Sequence, residues 1–227
     1  MNYSNNGAKY GVDQYRFAHN YDLKNKILVV DAGDRKYTMA FAGKKKLSFD
    51  TGNGARNFHY ECLKIEADTY FVRFDDHMAV IELGGGQATL ILPEGYVFGS
   101  IGGGAPKAAH GFTDEMTGTG VRWVVGCDKF TDNVYLNADR CRASWSPRES
   151  EFTEYPAKYV KVKAGIYLVD IIGHANSRLY MPEGYERFVI LQDYEHMLTV
   201  GCAFTKSGAK MIGAYGEFPE FDQEIFA

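Results

Sequence analysis

Residues 64–74 read KIEADTYFVRF, and residues 161–171 read KVKAGIYLVDI. The two stretches align without a gap at an offset of 97 residues. Lys, Ala, Tyr and Val coincide, and three further positions pair one apolar residue with another (Ile/Val, Phe/Leu and Phe/Ile). Around the first stretch, from residue 56 to residue 104, apolar and polar residues alternate, and Gly, Asp and Pro recur about every eight to twelve residues. This pattern is typical of short antiparallel strands. The chain is therefore predicted to contain two copies of one β unit.

The remainder of the chain follows the same strand-and-turn pattern and contains no amphipathic helical segment of about ten residues. Short turns between successive strands predict an all-β fold, an antiparallel up-and-down β-barrel, because closing the sheet removes the edges that such strands would otherwise expose. A small barrel of this kind has room for one small ligand. The pattern leaves open whether the two related halves close as one barrel or as two.

Composition shifts along the chain predict four segments. Residues 1–24 are a polar lead-in, residues 25–104 the N-terminal unit, residues 105–120 a glycine-rich linker or a lid loop, and residues 121–227 the C-terminal unit. Residues 105–120 are predicted to form a linker or a lid because they are small and polar and show no periodic pattern of apolar residues.

The net charge of −4 provides no basic surface that would indicate a nucleic-acid partner. No apolar stretch approaches the roughly 18–20 residues that span a bilayer, so no membrane association is predicted. The N-terminus lacks the apolar core of a signal peptide, which predicts a cytoplasmic protein. Four cysteines form no CxxC pair and are predicted to be small buried thiols.

Several motifs resemble the MoaF family, historically labelled molybdenum cofactor biosynthesis protein F. The resemblance covers roughly residues 22–216 and is carried by these stretches: Tyr70 to Asp75 (YFVRFD), Asn133 to Asn137 (NVYLN), Lys161 to Ile171, Val200-Gly201, and Ile212 to Gly216 (IGAYG). Members of that family contain an N-terminal and a related C-terminal lipocalin-like unit. The resemblance therefore implies a lipocalin-like, or calycin-like, barrel in each half.

The first half also resembles the phenolic acid decarboxylases, which are lipocalin-like barrels that use no cofactor. In those enzymes a strand of the form Gly-x-Tyr-x-x-x-Trp-x-Glu carries a buried catalytic carboxylate. The corresponding run here is residues 68–76, DTYFVRFDD, which places Asp76 at the carboxylate position. The paired tyrosines on the first strand of those enzymes are missing from residues 27–30, and Tyr37 on the next strand is the nearest substitute.

Alternation of side chains along each strand predicts which residues face the barrel interior. If Leu63 and Ile65 point inward, Glu61 and His59 do so as well, whereas a shift of one residue would turn all four outward. Carboxylates in an apolar interior have a raised pKa and can transfer protons near neutral pH. The predicted catalytic residues are Asp76 and Glu61. The predicted substrate-binding residues are Tyr37, His59, Tyr70, Trp145, Tyr167 and His196.

These residues suggest a cofactor-free lyase or isomerase that acts on a small aromatic or phenolic metabolite. The alternative is a non-catalytic carrier or sensor that holds a small hydrophobic ligand in the same cavity. No metal site is predicted, because His59 and Glu61 offer two ligands where zinc sites need three or four from the protein. The small molecule is the predicted partner, and a homo-oligomer is left open.

Overall fold

The computed structural model describes residues 17–103, 109–126, 129–146, 152–173, 185–206 and 208–226. These residues form antiparallel strands joined by turns and, near the C-terminus, a short 3-10 helix, Gln223–Phe226. Residues 19–111 form one compact unit, and the described residues from 112 onward form the other together with residues 17–18. The predicted all-β barrel fold is confirmed, and the two halves form two barrels.

The first barrel contains nine strands. In chain order they are β1 (Ile27–Asp31), β2 (Lys36–Phe41), β3 (Lys46–Asp50), β4 (Ala55–His59), β5 (Glu61–Glu66), β6 (Thr69–Phe74), β7 (His77–Glu82), β8 (Gln87–Leu92) and β9 (Gly95–Ile101). Their order in the sheet is β4-β3-β2-β1-β9-β8-β7-β6-β5, with antiparallel pairs throughout. β4 and β5 stand at the two ends of this order and are separated in the chain only by Tyr60. The barrel is therefore nearly closed.

The second barrel repeats this arrangement and closes fully. Its strands are β10 (Gly111–Phe112), β11 (Thr119–Gly126), β12 (Lys129–Asn137), β13 (Arg140–Ser146), β14 (Thr153–Lys163), β15 (Ile166–Ile172), β16 (Tyr185–Asp193), β17 (Leu198–Thr205) and β18 (Gly208–Glu217). The sheet order is β10-β14-β13-β12-β11-β18-β17-β16-β15. A pairing between β14 and β15 closes the eight strands from β11 to β18 into a ring, and the short β10 pairs with β14 beside it. The long β14 takes the place that β4 and β5 share in the first barrel.

The predicted lead-in and the predicted linker are each described only in part. Residues 1–16 of the predicted lead-in and residues 104–108 of the predicted linker lie outside the described part of the chain. Leu23 is fully buried in the core of the first barrel, and Met116 is buried in the core of the second.

In the part of the chain that the structure describes, no helix is long and apolar enough to cross a lipid bilayer.

The repeat seen in the sequence corresponds to one hairpin in each barrel, and the two hairpins share their register. Lys64 pairs with Tyr70 between β5 and β6, and Lys161 pairs with Tyr167 between β14 and β15. In both hairpins the pairing then shifts by one residue, next to the turn. Such a bulge bends and twists a strand. The same bend therefore occurs at the same place in both barrels.

In the first barrel, the Lys64–Tyr70 pair binds a carboxylate from the segment that precedes β1. Lys64 Nζ lies 2.7 Å from Asp22 Oδ2, and the Tyr70 hydroxyl donates to the same oxygen at 3.4 Å. The hydrogen bond from Lys64 lowers the pKa of Asp22. The next residue, Leu23, packs into the core. The contact holds the entry segment against the hairpin.

The second barrel contains the equivalent contact. Glu115 lies in the segment that precedes β11, and it accepts hydrogen bonds from Lys161 Nζ and, at 2.9 Å, from the Tyr167 hydroxyl. Both hydrogen bonds lower the pKa of Glu115, and the bond from Lys161 has the larger effect. Met116 follows and packs into the core, as Leu23 does in the first barrel. The two halves thus share a three-residue contact that links hairpin and entry segment.

The predicted inward face of β5 is wrong. Cys62 pairs with Val72, and both belong to the core inside the first barrel. Leu63 pairs with Phe71 on the outer face of the sheet, where both side chains are also fully buried. Glu61 shares this outer face with Leu63. Because the hairpin has buried apolar side chains on both faces, hydrophobicity alone does not distinguish the two registers.

In the second barrel, β16 and β17 approach each other closely at Gly201. A Cβ atom added there would overlap the carbonyl oxygen of Val189 and lie 2.7 Å from the Cα atom of Ile190 on β16. We expect Gly201→Ala to lower the free energy of unfolding by about 1–3 kcal/mol in urea denaturation, because the strands must separate to admit the methyl group. Gly111→Ala is the control, since a Cβ atom there meets no atom within 4 Å. Equal stability of the two variants would contradict the close approach.

Candidate functional site

A hollow opens into the interior of the second barrel. The space that a water-sized group can occupy is about 30 Å³, and the whole hollow with its mouth is about 400 Å³. None of the described residues in its wall carries a charge. The wall is formed by Trp123, Val125, Thr131, Asn133, Ile171, Phe188, Ile190, Thr199, Ile212, Gly213 and Ala214. The hollow is therefore apolar, with a small number of polar side chains.

A buried hydrogen-bonded group lies beside the hollow, inside the same barrel. The Tyr135 hydroxyl donates to Gln192 Oε1 at 2.9 Å, and the Tyr194 hydroxyl donates to the same oxygen at 3.0 Å. Gln192 pairs across the strands with Thr199, which lines the hollow, and the ring of Tyr194 contacts that of Trp123 edge to face at 6.1 Å. Burial raises the pKa of both tyrosines, so both hydroxyls stay neutral.

Two polar atoms in this interior, Thr131 Oγ1 and Gln192 Nε2, have no hydrogen-bond partner within the described protein. The Trp123 indole interacts with the Tyr135 hydroxyl. The side chains of Thr131 and Gln192 are almost completely buried, with exposures of 6% and 0% respectively. A buried polar atom without a partner is unusual in a folded protein and marks a place where another molecule can supply the bond.

The interior of the first barrel is occupied by aromatic rings in mutual contact. Phe49 stacks on Tyr37 at 6.2 Å and meets Phe74 edge to face at 5.1 Å. Tyr37 and Tyr70 are buried members of this core, so their predicted inward orientation is confirmed. Tyr37 packs against another ring, and the Tyr70 hydroxyl binds Asp22, so both have structural contacts.

The two predicted catalytic carboxylates do not lie inside the first barrel, and the prediction that they are buried there is wrong. β6 ends at Phe74, and Asp76 lies in the following turn, where its side chain is 62% exposed and pairs with His77 Nδ1 at 2.6 Å. The Glu61 side chain lies on the outer face of the sheet and pairs with Arg73 at 3.2 Å and with His19 at 3.4 Å. Neither carboxylate has the apolar surroundings on which the predicted acid–base role depends.

The two predicted substrate-binding histidines are both exposed, so their predicted interior positions are wrong. His59 is exposed on β4, because the neighbouring Phe58 is the residue that packs against the core. His196 lies in the turn between β16 and β17, where its Nδ1 atom lies 2.8 Å from Asp193 Oδ2. Neither histidine is placed to contact a ligand inside a barrel.

The other two predicted residues of the second half lie on strands of the second barrel. Tyr167 packs against its core, with its ring 5.9 Å from that of Tyr194, and its hydroxyl is bound by Glu115. Trp145 pairs through its backbone with Thr131, but its side chain lies outside the described part of the structure. Tyr167 is thus next to the buried hydrogen-bonded group.

The buried carboxylates of the second barrel form their hydrogen bonds with groups that do not line the hollow. Asp132 receives two hydrogen bonds from the guanidinium group of Arg122 at 2.7 and 2.8 Å. Asp170 receives two from Arg187 at 2.8 and 2.7 Å. Asp193 binds the backbone and side chain of the turn that follows it. Among the described residues of this barrel, no buried carboxylate faces the hollow.

Sequence reasoning missed Trp123, Thr131 and Gln192. Trp123 and Thr131 stand directly opposite each other on β11 and β12, and each alternates with an outward residue, so strand alternation could have found them. Gln192 precedes Asp193 and Tyr194 in a stretch that has no clear alternation, but β16 continues to Asp193 and pairs Gln192 with the inward Thr199. No motif marks these residues as a group.

Comparison of the sequence with protein-family models finds no match, and comparison with curated proteins finds no significant match.

Proposed function

We propose that the second barrel binds a small, mainly apolar molecule, and that the protein acts as a carrier or sensor of that molecule. The observation that carries this proposal is the hollow with an uncharged wall inside a closed barrel. Ligand sites are typically concave and apolar, with a small number of polar groups that orient the ligand. Thr131 supplies such a group in this wall.

The alternative, a lyase or isomerase acting on an aromatic metabolite, has less support. It requires a proton-transfer group within hydrogen-bond reach of the substrate. Asp76 and Glu61 are outside the first barrel, and the buried carboxylates of the second barrel are bound by arginines or by a turn. A tyrosine remains as a group that could orient a substrate, but the raised pKa of Tyr194 opposes its use as a base near neutral pH.

The proposal is tested by reducing the volume of the hollow. Ala214 on β18 lines it, and Ala214→Leu places three more carbon atoms in the wall. We expect this variant to bind ethylbenzene at least about tenfold more weakly than the unmodified protein in calorimetric titration, because close-packed interiors leave little room to adjust. Ala214→Val tests the same effect with a smaller change if Ala214→Leu proves unstable.

Ala209→Leu is the matched control. Ala209 lies on the same strand, near its start, and is partly exposed. We expect this variant to bind ethylbenzene as the unmodified protein does. Undiminished binding by both Ala214 variants would show that the ligand binds elsewhere, and recovery of a chemically altered ligand after incubation would favour the enzyme.

A further inference from the structure

Exposed lysines gather at one end of the first barrel and form a basic patch. Two of them lie just before β1, and three lie at the turn that joins β2 to β3. The two segments are neighbours, because the Phe41 amide donates to the carbonyl oxygen of Lys26 at 2.9 Å. The five lysines of the basic patch are Lys24, Lys26, Lys44, Lys45 and Lys46.

Two carboxylates on the segments next to the basic patch bind other cations. Asp22 Oδ2 lies 2.7 Å from Lys64 Nζ. Glu61 pairs with Arg73 and His19. Among the described residues, no carboxylate forms an ion pair with any of the five patch lysines. The charge of the basic patch is therefore available to a negatively charged partner.

The net charge of the chain conceals this patch. The chain carries −4 and the basic patch contributes +5, so the remainder carries −9. A negatively charged surface attracts the patch and repels the remainder, which orients the molecule as it approaches. The sequence predicted no membrane association because no segment is long enough to span a bilayer. Binding to the surface of a bilayer requires no such segment.

Two exposed apolar side chains accompany the lysines. Ile27 directly follows Lys26 and is 70% exposed. Tyr21 is 37% exposed, and the Lys44 amino group lies 5.2 Å from the centre of its ring. Tyrosine concentrates at the headgroup level of bilayers, and aliphatic side chains enter the boundary between headgroups and acyl chains. Lysines beside an exposed tyrosine and an exposed isoleucine therefore suit a lipid surface.

The composition of the basic patch distinguishes a lipid surface from other negatively charged partners. The patch contains no arginine, whereas protein interfaces are enriched in arginine and depleted in lysine. Single-stranded nucleic acids bind where aromatic faces are open for base stacking, but the Lys44 amino group lies over the ring of Tyr21. Lysines act as point charges, which a charged surface attracts without a fixed geometry.

We propose that the basic patch docks the protein on the surface of a lipid bilayer that contains anionic phospholipids. The lysines lie at the level of the lipid phosphates, and Tyr21 and Ile27 enter the headgroup region. This docking does not depend on the ligand site in the second barrel.

The test is co-sedimentation of the full chain with vesicles of phosphatidylcholine and phosphatidylserine in a ratio of about 2:1. We expect the protein to bind these mixed vesicles, to leave vesicles of phosphatidylcholine alone unbound, and to dissociate when the salt is raised from about 0.1 M to about 1 M. Equal binding to both kinds of vesicle, or binding to neither, would overturn the proposal. Displacement from mixed vesicles by single-stranded oligouridylate at the same phosphate concentration would overturn the lipid assignment in favour of a nucleic acid.

A triple variant locates the contact. Lys44→Gln, Lys45→Gln and Lys46→Gln together are expected to weaken binding to mixed vesicles about 100-fold, since each lysine near an anionic surface contributes about fivefold. The control removes the same number of positive charges from exposed residues at the opposite end of the same strands, and is expected to bind within about twofold of the unmodified protein. An equal loss in both triple variants would show that net charge alone governs binding and would overturn the patch. The control combines Arg35→Gln, Lys36→Gln and Arg56→Gln.

Ile27→Ser tests the apolar part of the contact. Its side chain is exposed, so the substitution leaves the core of the barrel intact. We expect binding to mixed vesicles to weaken about 3–10-fold with the same dependence on salt, because apolar area is lost and charge is not. Undiminished binding of Ile27→Ser would contradict the entry of this residue into the headgroup region.

Discussion

Replacement of Gln192 by leucine is expected to lower the free energy of unfolding of the second barrel by about 2–4 kcal/mol. Gln192 is fully buried and accepts hydrogen bonds from the hydroxyls of Tyr135 and Tyr194. Leucine has a similar size but cannot accept either bond. The two hydroxyls lie close enough for one to donate a hydrogen bond to the other. The hydroxyl that accepts this bond then has no acceptor for its own hydrogen. The measurement is urea denaturation followed by the far-ultraviolet circular dichroism of the strands.

A thermodynamic cycle separates the loss of hydrogen bonds from a change in packing. Tyr135→Phe and Tyr194→Phe together remove the two donors that Gln192 satisfies. In that background Gln192→Leu is expected to cost less than about 1 kcal/mol, because no buried hydroxyl then loses its partner. An equal cost of Gln192→Leu in both backgrounds would show that packing, and not hydrogen bonding, makes this residue important for stability.

The barrel fold could be predicted from the sequence because its determinants are local. The repeated Lys-x-x-Ala-x-x-Tyr pattern forms the same bulged hairpin in each half, with Lys64 opposite Tyr70 and Lys161 opposite Tyr167. Frequent turn residues limit the strands to short lengths, and short neighbouring strands pair with each other. The number of barrels depends on long-range pairs that local pattern does not encode. β1 pairs with β9 in the first barrel, and β11 pairs with β18 in the second.

The candidate site could not be predicted in the same way, because it depends on register and on strand ends. A one-residue error at β5 moved Glu61 to the wrong face, since Leu63 and Cys62 are equally buried on opposite faces. Asp76 continued the alternation of β6 in the sequence, but the strand ends two residues earlier. Gln192 precedes the frequent turn residue Asp193, so the sequence does not show that β16 continues through both residues. Alternation defines a face only where the strand is continuous and one side is solvated.

Acidification is expected to destabilise the first barrel through His110. Its side chain is 3% exposed and lies beside Thr89 on the outer face of β8, since the neighbouring Ala88 and Leu90 belong to the core inside. The Thr89 hydroxyl is 2.9 Å from Nδ1, and Nε2 has no hydrogen-bond partner within the described protein. Burial lowers the pKa of this imidazole from its ordinary value of 6.5 to about 4.

The direction of the effect follows from the two pKa values. Between pH 6.5 and pH 4 the unfolded chain binds a proton at His110 that the folded barrel excludes, so stability falls as the pH is lowered through this window. The full difference corresponds to about 3 kcal/mol, reached near pH 4 and absent above about pH 7. We expect His110→Gln to remove this part of the pH dependence, as measured by hydrogen exchange of strands β6 to β8 between pH 4.5 and pH 7.5, after correction for intrinsic exchange rates.

His59→Gln is the matched control for this experiment, because His59 is exposed in the same barrel and its replacement leaves His110 buried. The carboxylates that also titrate below pH 5 are present in both variants, so the difference between the two pH profiles isolates His110. If the pH profiles of His110→Gln and His59→Gln coincide, the folded barrel does not prevent protonation of His110, and the prediction is contradicted. A steeper loss of stability in His59→Gln than in His110→Gln is the result that burial of a neutral imidazole requires.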